Sequence, residues 1–273
     1  MKIAYYGERG AYSEQAAIQH FKASGELKPR KFLSDVFDAV ENGCDFGVVP
    51  IENSLEGAVT QTYDLLLESD LTIVGEEIVK ISHSLMAAKG VLLDDIKTVY
   101  SHPQALAQSR EYIEKHMFNT IPYYDTAGSA KMIKESGMRN AGAIASERAA
   151  KIYGMQILAS GIESNKHNYT RFMVISKENK TKEWNKTSIA FSAKHRPGSL
   201  FSALNCFARN KVNLSYIQSR PIPGMPWEYN FYVDCDGSIN DKKIRKAVNE
   251  LFESADFIKV LGSYKKARFD INV

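Results

Sequence analysis

Short apolar runs alternate with helical patterns through about residue 175 of the 273-residue chain, and that alternation limits this part to a largely parallel α/β arrangement. The strands it predicts are Lys2 to Tyr6, Phe46 to Pro50, Leu71 to Val74, Thr98 to Tyr100, Ala141 to Ala145 and Arg171 to Ile175. Helices are predicted between them. In Gly57 to Glu68, Val59, Tyr63, Leu66 and Leu67 recur at i, i+4, i+7 and i+8 and mark one buried face. In Glu147 to Tyr153, Ser146 is the expected N-cap and Gly154 stands just past the end.

The stretch Lys177 to Lys186 (KENKTKEWNK) is polar and aperiodic, and a domain boundary is expected there. Beyond it Thr187 to Ala193 reads as a strand and Ser199 to Asn210 as a helix with Leu200, Ala203, Leu204 and Phe207 on one side. Asn213 to Arg220 and Trp227 to Cys235 read as strands, the second alternating Trp227, Tyr229, Phe231 and Val233 with polar residues. A helix carrying Ile244, Val248, Leu251 and Phe252 and a last strand at Phe257 to Leu261 complete βαββαβ, the ferredoxin-like order. A unit of roughly 80 residues can fold alone, and its open sheet edge invites a second copy.

Hydrophobic residues at 44% and charged residues at 25% are ordinary globular values. The net charge of +3 offers no broad field for phosphate backbones or anionic lipid, so neither nucleic acid nor membrane is an expected partner. The first apolar run is broken by Glu8 and Arg9, too soon for a signal peptide, and no later stretch approaches the roughly 18 apolar residues that span a bilayer. Cys44, Cys206 and Cys235 are widely spaced and odd in number, which fits unpaired thiols in the cytoplasm. The sequons at Asn168, Asn185 and Asn213 are then chance matches.

Polar clusters fall where predicted strands end and helices begin. Tyr6 runs into Gly7-Glu8-Arg9-Gly10-Ala11-Tyr12-Ser13-Glu14, Pro50 into Ile51-Glu52-Asn53-Ser54, Tyr100 into Ser101-His102-Pro103-Gln104, and Tyr124 into Asp125-Thr126-Ala127-Gly128-Ser129. Open α/β sheets bind ligands outside the carboxyl ends of their strands, where helix N-termini suit a small anion. Taken singly, Ser13, Ser54, Ser101 and Thr126 are equally well helix N-caps, and Gly7 and Gly10 a tight turn. Ser101, Gln104 and Gln108 at i, i+3 and i+7 share one face of the helix that Pro103 starts, which is as readily a solvated face as a site. Glu52 either caps, pairs with a nearby Arg or works chemically. In the strand entered through His167, alternation turns Asn168, Thr170 and Phe172 one way and Arg171 the other. Gly7 and Gly10 make no dinucleotide fingerprint, the six histidines show no metal-ligand spacing, and no G-x-S-x-G elbow occurs, so no cofactor and no metal are expected.

In order, Gly7-x-x-Gly10-x-Tyr12-Ser13-Glu14, Pro50-Ile51-Glu52-Asn53-Ser54, Ser101-His102-Pro103-Gln104-Ala105-Leu106, Asp125-Thr126-Ala127 and Thr170-Arg171-Phe172 resemble the prephenate dehydratase family. Arg196-Pro197-Gly198-Ser199-Leu200 and Gln218-Ser219-Arg220-Pro221 resemble the two phenylalanine-site motifs of that family's ACT domain. The resemblance spans essentially the whole chain. It implies a bilobed catalytic domain over residues 1–178 like the type II periplasmic binding proteins, with lobes of about 1–75 plus 168–178 and 76–165, and an ACT regulatory domain over 187–264. It implies conversion of prephenate to phenylpyruvate with loss of water and carbon dioxide, on the route to phenylalanine.

Prephenate carries two carboxylates and a ring hydroxyl, and aromatisation drives the loss, so the enzyme needs a donor on the departing hydroxyl and a polar clamp. The resemblance then gives Thr170 as that donor, Asn53, Ser101, Gln108 and Glu52 as its catalytic companions, and Arg171 or helix N-termini for a carboxylate. Ser13, Ser54, Thr126, Ala127, Asn168 and Phe172 complete the implied substrate contacts. For L-phenylalanine the implied residues are Pro197, Gly198, Ser199, Leu200, Asn213, Leu214, Gln218, Ser219 and Arg220. Two departures bear on feedback: Gly198-Ser199-Leu200-Phe201 stands where the family usually has G-A-L-V, and neutral Gln218 replaces the usual glutamate of E-S-R-P. A homodimer or homotetramer is expected, and simple dimerisation is the competing role for the second domain. Arogenate, which differs by an amino group, is a rival substrate, and a ligand-sensing protein without chemistry a rival class. No chorismate mutase activity is expected, because the catalytic pattern starts at Lys2 and leaves no room for a preceding helical domain.

Overall fold

The computed structural model describes residues 1–179 and 183–269, so Lys180, Thr181 and Lys182 of the predicted linker lie outside the described residues. The first unit contains β1 (Lys2–Tyr6), α1 (Tyr12–Phe21), β2 (Glu26–Arg30), α2 (Leu33–Glu41), β3 (Phe46–Asn53), β4 (Gly57–Ala58), α3 (Thr60–Glu68) and β5 (Thr72–Lys80). The second contains β6 (Ser84–Ala87), β7 (Thr98–Ser101), α4 (Pro103–Gln108), α5 (Arg110–Lys115), β8 (Asn119–Pro122), α6 (Thr126–Ser136), β9 (Ala141–Ala145), α7 (Glu147–Tyr153) and β10 (Gln156–Ser160). The chain then returns as β11 (Tyr169–Ser176) to the first sheet, whose order is β2-β1-β3-β11-β5 with β4 against β3. The second sheet runs β10-β6-β9-β7-β8.

β3 reads as a near-continuous apolar run because both of its faces are covered. Val48 packs with Ile3, Tyr5 and the small Ala16 and Ala17 of α1, while Val49 and Ile51 pack with α2 and α3 on the other side. In the second unit the buried strand β9 (AGAIA) meets Ala127, Ala130 and Ala149, and these small side chains let α6 and α7 lie close to the sheet. The Ser146 cap accepts from Ala149 N at 3.1 Å and Gly154 closes α7 with φ +64, as the sequence predicts.

The sheets are mixed rather than largely parallel. β1 pairs parallel with β2 and β3, and β7 with β8 and β9, but β11 is antiparallel to β3 and β5, and β6 to β9 and β10. The cause is the double crossing between sheets: the chain leaves the first sheet after β5 and re-enters beside it, with Tyr169 opposite Lys80 and Ile81 N donating to Asn168 O at 2.8 Å. Strands β2, β8 and β10 escape the sequence reading because they are sheet edges with no continuous apolar face, and β6 because Leu85, Met86 and Ala87 carry no β-branched residue.

The third unit is β12 (Lys186–Ala193), α8 (Ser199–Arg209), β13 (Leu214–Ile222), β14 (Met225–Asp236), α9 (Lys242–Ser254) and β15 (Ala255–Tyr264), in sheet order β13-β14-β12-β15. That is the ferredoxin-like arrangement. Its helices cover one face through Ala203, Phe207, Ile244, Ala247, Val248 and Leu251. Phe252, expected on that face, is 60% exposed because Ile244, Ala247, Val248 and Leu251 already fill the i, i+3, i+4, i+7 stripe. Trp227, the third residue of β14, is 78% exposed with φ +70 instead of facing inward. The opposite sheet face packs on the first unit, where Ala190, Tyr232, Leu261 and Tyr264 join the core around Ile51, Tyr63 and Leu66. At Gly262 a side chain would run into the Ile73 backbone, so glycine permits β15 to approach β5. Among the described residues no helix is long and apolar enough to cross a membrane.

Candidate active site

Between the first two sheets lies a cavity of about 490 Å³. The N-terminal residues of α1 (Tyr12, Ser13), α3 (Thr60, Gln61), α4 (Gln104, Ala105) and α6 (Thr126) line it, so four helix starts converge on one space. First-turn N–H groups lack intrahelical acceptors and carry the positive end of the helix dipole. No Lys or Arg lines the cavity among the described residues. Any anion held there is met by oriented dipoles.

Thr170 and Asn53 are opposite one another on β11 and β3, which gives them a common face. Asn53 can be oriented without ambiguity. Its Oδ1 accepts from Leu55 N at 3.0 Å and Glu56 N at 3.1 Å, so its Nδ2 must be the donor toward Thr170 Oγ1 at 3.0 Å and Asn168 Oδ1 at 2.7 Å. Thr170 therefore receives a hydrogen bond and keeps its own proton to give. Thr170, Asn53 and Phe172 from the first sheet and Gln108 from α4 of the second unit all line the cavity. Asn168 is fully buried behind them and donates from Nδ2 to Gln108 Oε1 at 2.8 Å, linking the two lobes. Ser13 and Thr126 also line the space, although the Ser13 hydroxyl is spent on Tyr6 O.

Other expected residues are elsewhere. Ser101 ends strand β7 before the helix begins, so helical spacing does not apply to it, and its buried hydroxyl donates to Ile144 O at 2.5 Å outside the cavity lining. The cap of α4 is His102, whose Nδ1 accepts from Gln104 N at 3.3 Å. Ala127 is buried in the second core. Ser54 is tied to His167 O and Tyr169 N at 3.1 and 2.9 Å, away from the lining. Glu52 pairs with Arg171 Nε at 3.0 Å, and Arg171 turns from Thr170 into the third unit, where it meets Asp234. Neither reaches the cavity.

Among the lining residues to which the sequence gives no site role are His83, His102, Glu56 and Asp125. As single residues the histidines are weighed in the sequence only as metal ligands, although His102 stands inside one of the family motifs. The available signal was their position, one just after the crossing that follows β5 and one directly before α4. Burial lowers the pKa of both imidazoles. Asp125 caps α6, its Oδ1 accepting from Gly128 N at 2.6 Å. Burial raises its pKa to about 6, against the opposing pull of that N–H.

A second cavity of about 410 Å³ lies in the third unit, lined by Pro197, Ser199, Leu200, Trp227, Tyr229 and Phe231 among others. Gly198 caps α8 with φ +82, and the Ser199 hydroxyl is buried without a partner. The expected second motif is not part of this lining. Arg220 instead pairs with Asp64 of α3 at 2.6 Å, Gln218 donates to Ser219 O at 2.8 Å, and Asn213 donates to Asp236 at 2.6 Å beside Leu214 at the start of β13.

The family model described as prephenate dehydratase matches residues 3–180. A bifunctional chorismate mutase/prephenate dehydratase of Aquifex aeolicus is 41% identical over 98% of this chain and 74% of its own length. An arogenate dehydratase/prephenate dehydratase 2 of Arabidopsis thaliana is 42% identical over 97% of this chain and 72% of its own. A solved prephenate dehydratase of Arthrobacter aurescens, in complex with L-Phe, superposes with a TM-score of 0.88 at 32% identity, covering 98% of this chain and 90% of that one.

Proposed function

The chain belongs to the prephenate dehydratase family, and from that premise we propose that it acts on prephenate in the cavity between the first two sheets, with Thr170 facing the departing ring hydroxyl. In that reaction the bond from the ring to its carboxylate breaks and releases carbon dioxide. The freed electron pair enters the ring, the ring hydroxyl leaves and takes up a proton as water, and phenylpyruvate remains. Aromaticity supplies the driving force, so no electron sink is required. A threonine hydroxyl is too weak an acid to protonate unaided. Its contribution is a preorganised hydrogen bond to an oxygen that grows negative as it departs.

The observation that carries this reading is the polarity of the Asn53 to Thr170 contact, which leaves the Thr170 proton for a ligand. The carboxylates are assigned to the starts of α1, α3 and α6. Asn53, Asn168 and Gln108 hold the polar wall, Phe172 and Ser13 complete it, and Asp125 faces the anion best when protonated. The test is to supply prephenate and follow phenylpyruvate. Turnover is expected, and its absence with folded protein would overturn the assignment.

One feature favours arogenate as a second reading: the acidic side chains of Glu56 and Asp125 line a cavity without a cation, and an ammonium would find partners there. Supplying arogenate in parallel and comparing kcat/KM decides between them. Feedback by L-phenylalanine through the third unit is part of the proposal, supported by the second cavity and by the L-Phe complex of the Arthrobacter aurescens relative. Inhibition is expected as L-phenylalanine is titrated, and no effect at millimolar concentration would remove it. A homodimer or homotetramer joined through the third unit is proposed as well, and light scattering tests it.

A further inference from the structure

The hydrogen-bond chain does not stop at Asn168. Because Asn53 Nδ2 faces Asn168 Oδ1, the Asn168 amide has one orientation, and its Nδ2 points to Gln108. The atom of Gln108 that receives it must be Oε1. The same Oε1 lies 3.0 Å from His83 Nε2, so that ring nitrogen has to carry a proton. Two backbone N–H groups in the first lobe thus determine, through three amides, the tautomer of a histidine that enters the second.

The imidazole is held on its other sides. The His83 backbone N donates to Glu163 Oε2 at 2.8 Å, and Nδ1 lies 3.2 Å from the Tyr12 oxygen, whose proton goes to Ser82 O at 2.5 Å. Tyr12 stands edge-on to the ring at 5.8 Å and 74°. With Glu163 and Tyr12 the titratable groups in contact, burial outweighs Gln108 and Glu163 and depresses the imidazole pKa. The Gln108 contact requires the proton on Nε2.

We propose that His83 is a positioning residue for this reaction: its Nε2–H holds the Gln108 carboxamide with the oxygen turned to Asn168 and the NH2 end offered to the anionic ligand. Gln108 lines the cavity, and a carboxamide is nearly symmetric in shape. Without a second donor on Oε1, the reversed amide becomes competitive and presents a carbonyl oxygen to a carboxylate. The effect falls on binding of a charged group rather than on departure of the hydroxyl.

The proposal rests on the reading of the cavity as the site of a dicarboxylate, and its test separates the two. His83→Asn and His83→Leu are expected to raise KM for prephenate by about tenfold to a hundredfold, the range for a hydrogen bond to a charged group, with kcat within a few-fold of the parent. His83→Gln, which can place an Nε2–H near the original position, is expected to stay within a few-fold in both. If His83→Leu fails to fold, the Asn and Gln pair decides. In a Gln108→Ala background, His83→Asn should add no further increase in KM. Equal KM values for the Asn, Gln and parent proteins overturn the role of His83, as does a kcat loss with KM unchanged. Calorimetric titration of the product, phenylpyruvate, into the otherwise unchanged protein reads binding without turnover. A tenfold weaker affinity on adding His83→Asn supports the proposal even if Thr170 proves dispensable for catalysis, and an unchanged affinity contradicts it.

Discussion

Thr170 and Arg171 are neighbours on β11 and face opposite environments. On the Thr170 side, polarity is specified by neutral groups: two asparagines, a glutamine, a hydroxyl and helix starts. On the Arg171 side, full charges are packed together. Arg171 meets Glu52 and Asp234, Lys186 bonds both Glu76 oxygens at 3.1 Å and lies 3.4 Å from Asp234, and Ser188 donates to Asp234 at 2.5 Å. The Arg171 guanidinium also lies 4.8 Å from the Tyr216 ring centroid. Burial opposes the Asp234 charge, yet Arg171 and Lys186 hold its pKa below the ordinary value. The difference separates two tasks. A cavity for a dianion gains from oriented dipoles that need no counter-charge when empty, whereas the ion cluster fastens the third sheet to the catalytic strand and depends on every member being present.

The largest effect is therefore expected behind the cavity. Arg171→Met leaves Asp234, Glu76 and Glu52 with too little positive charge and should cost about 3–5 kcal/mol in denaturant unfolding. A loss under 1 kcal/mol would put this cluster on a par with a surface network. Thr170→Val should reverse the pattern, with unfolding nearly unchanged but kcat lower by about 10² to 10³, or 2.7–4 kcal/mol. If stability falls more than rate, the two faces of β11 are not separate in function.

Asp125 sharpens the cavity side through pH. Its folded pKa of about 6 lies above its ordinary 3.8, so the stability it contributes is fully present below about pH 4 and is lost as pH rises through 6. Asp125→Asn keeps an acceptor for Gly128 N and should flatten that dependence, which amounts to about 3 kcal/mol at most. Its KM should likewise stop rising between pH 5 and 7, and parallel profiles for the two proteins would remove Asp125 from the balance. The smallest effect is expected at Arg220, whose pair with Asp64 is partly exposed. Arg220→Met should cost roughly 0.2–1 kcal/mol in unfolding. A larger loss would make this contact a second fastening between the third unit and α3.

What was legible in the sequence follows from burial. β1 and β9 are read to the residue because both are buried strands with sharp ends. The edge strands β2, β8 and β10 were not, since they carry no continuous apolar face, whereas the edge strands β5, β13 and β15 show enough of one to be read in part. Strand alternation correctly set Arg171 against Thr170. It was wrong to carry helical spacing back to Ser101, because the helix starts at Pro103 and the preceding residue is still strand. His83 carried no motif of its own, and only the three-dimensional chain of amides gives it a role.

The most direct test of the central claim, that Asn53 frees the Thr170 proton for the ligand, is kcat for Asn53→Asp alone and combined with Thr170→Val. In Asn53→Asp an oxygen replaces the donor and takes the Thr170 proton for itself. The account predicts a loss of about 10² to 10³ for each single variant and little further loss in the double. Near-normal turnover of Asn53→Asp, or losses that multiply in the double variant, would contradict it.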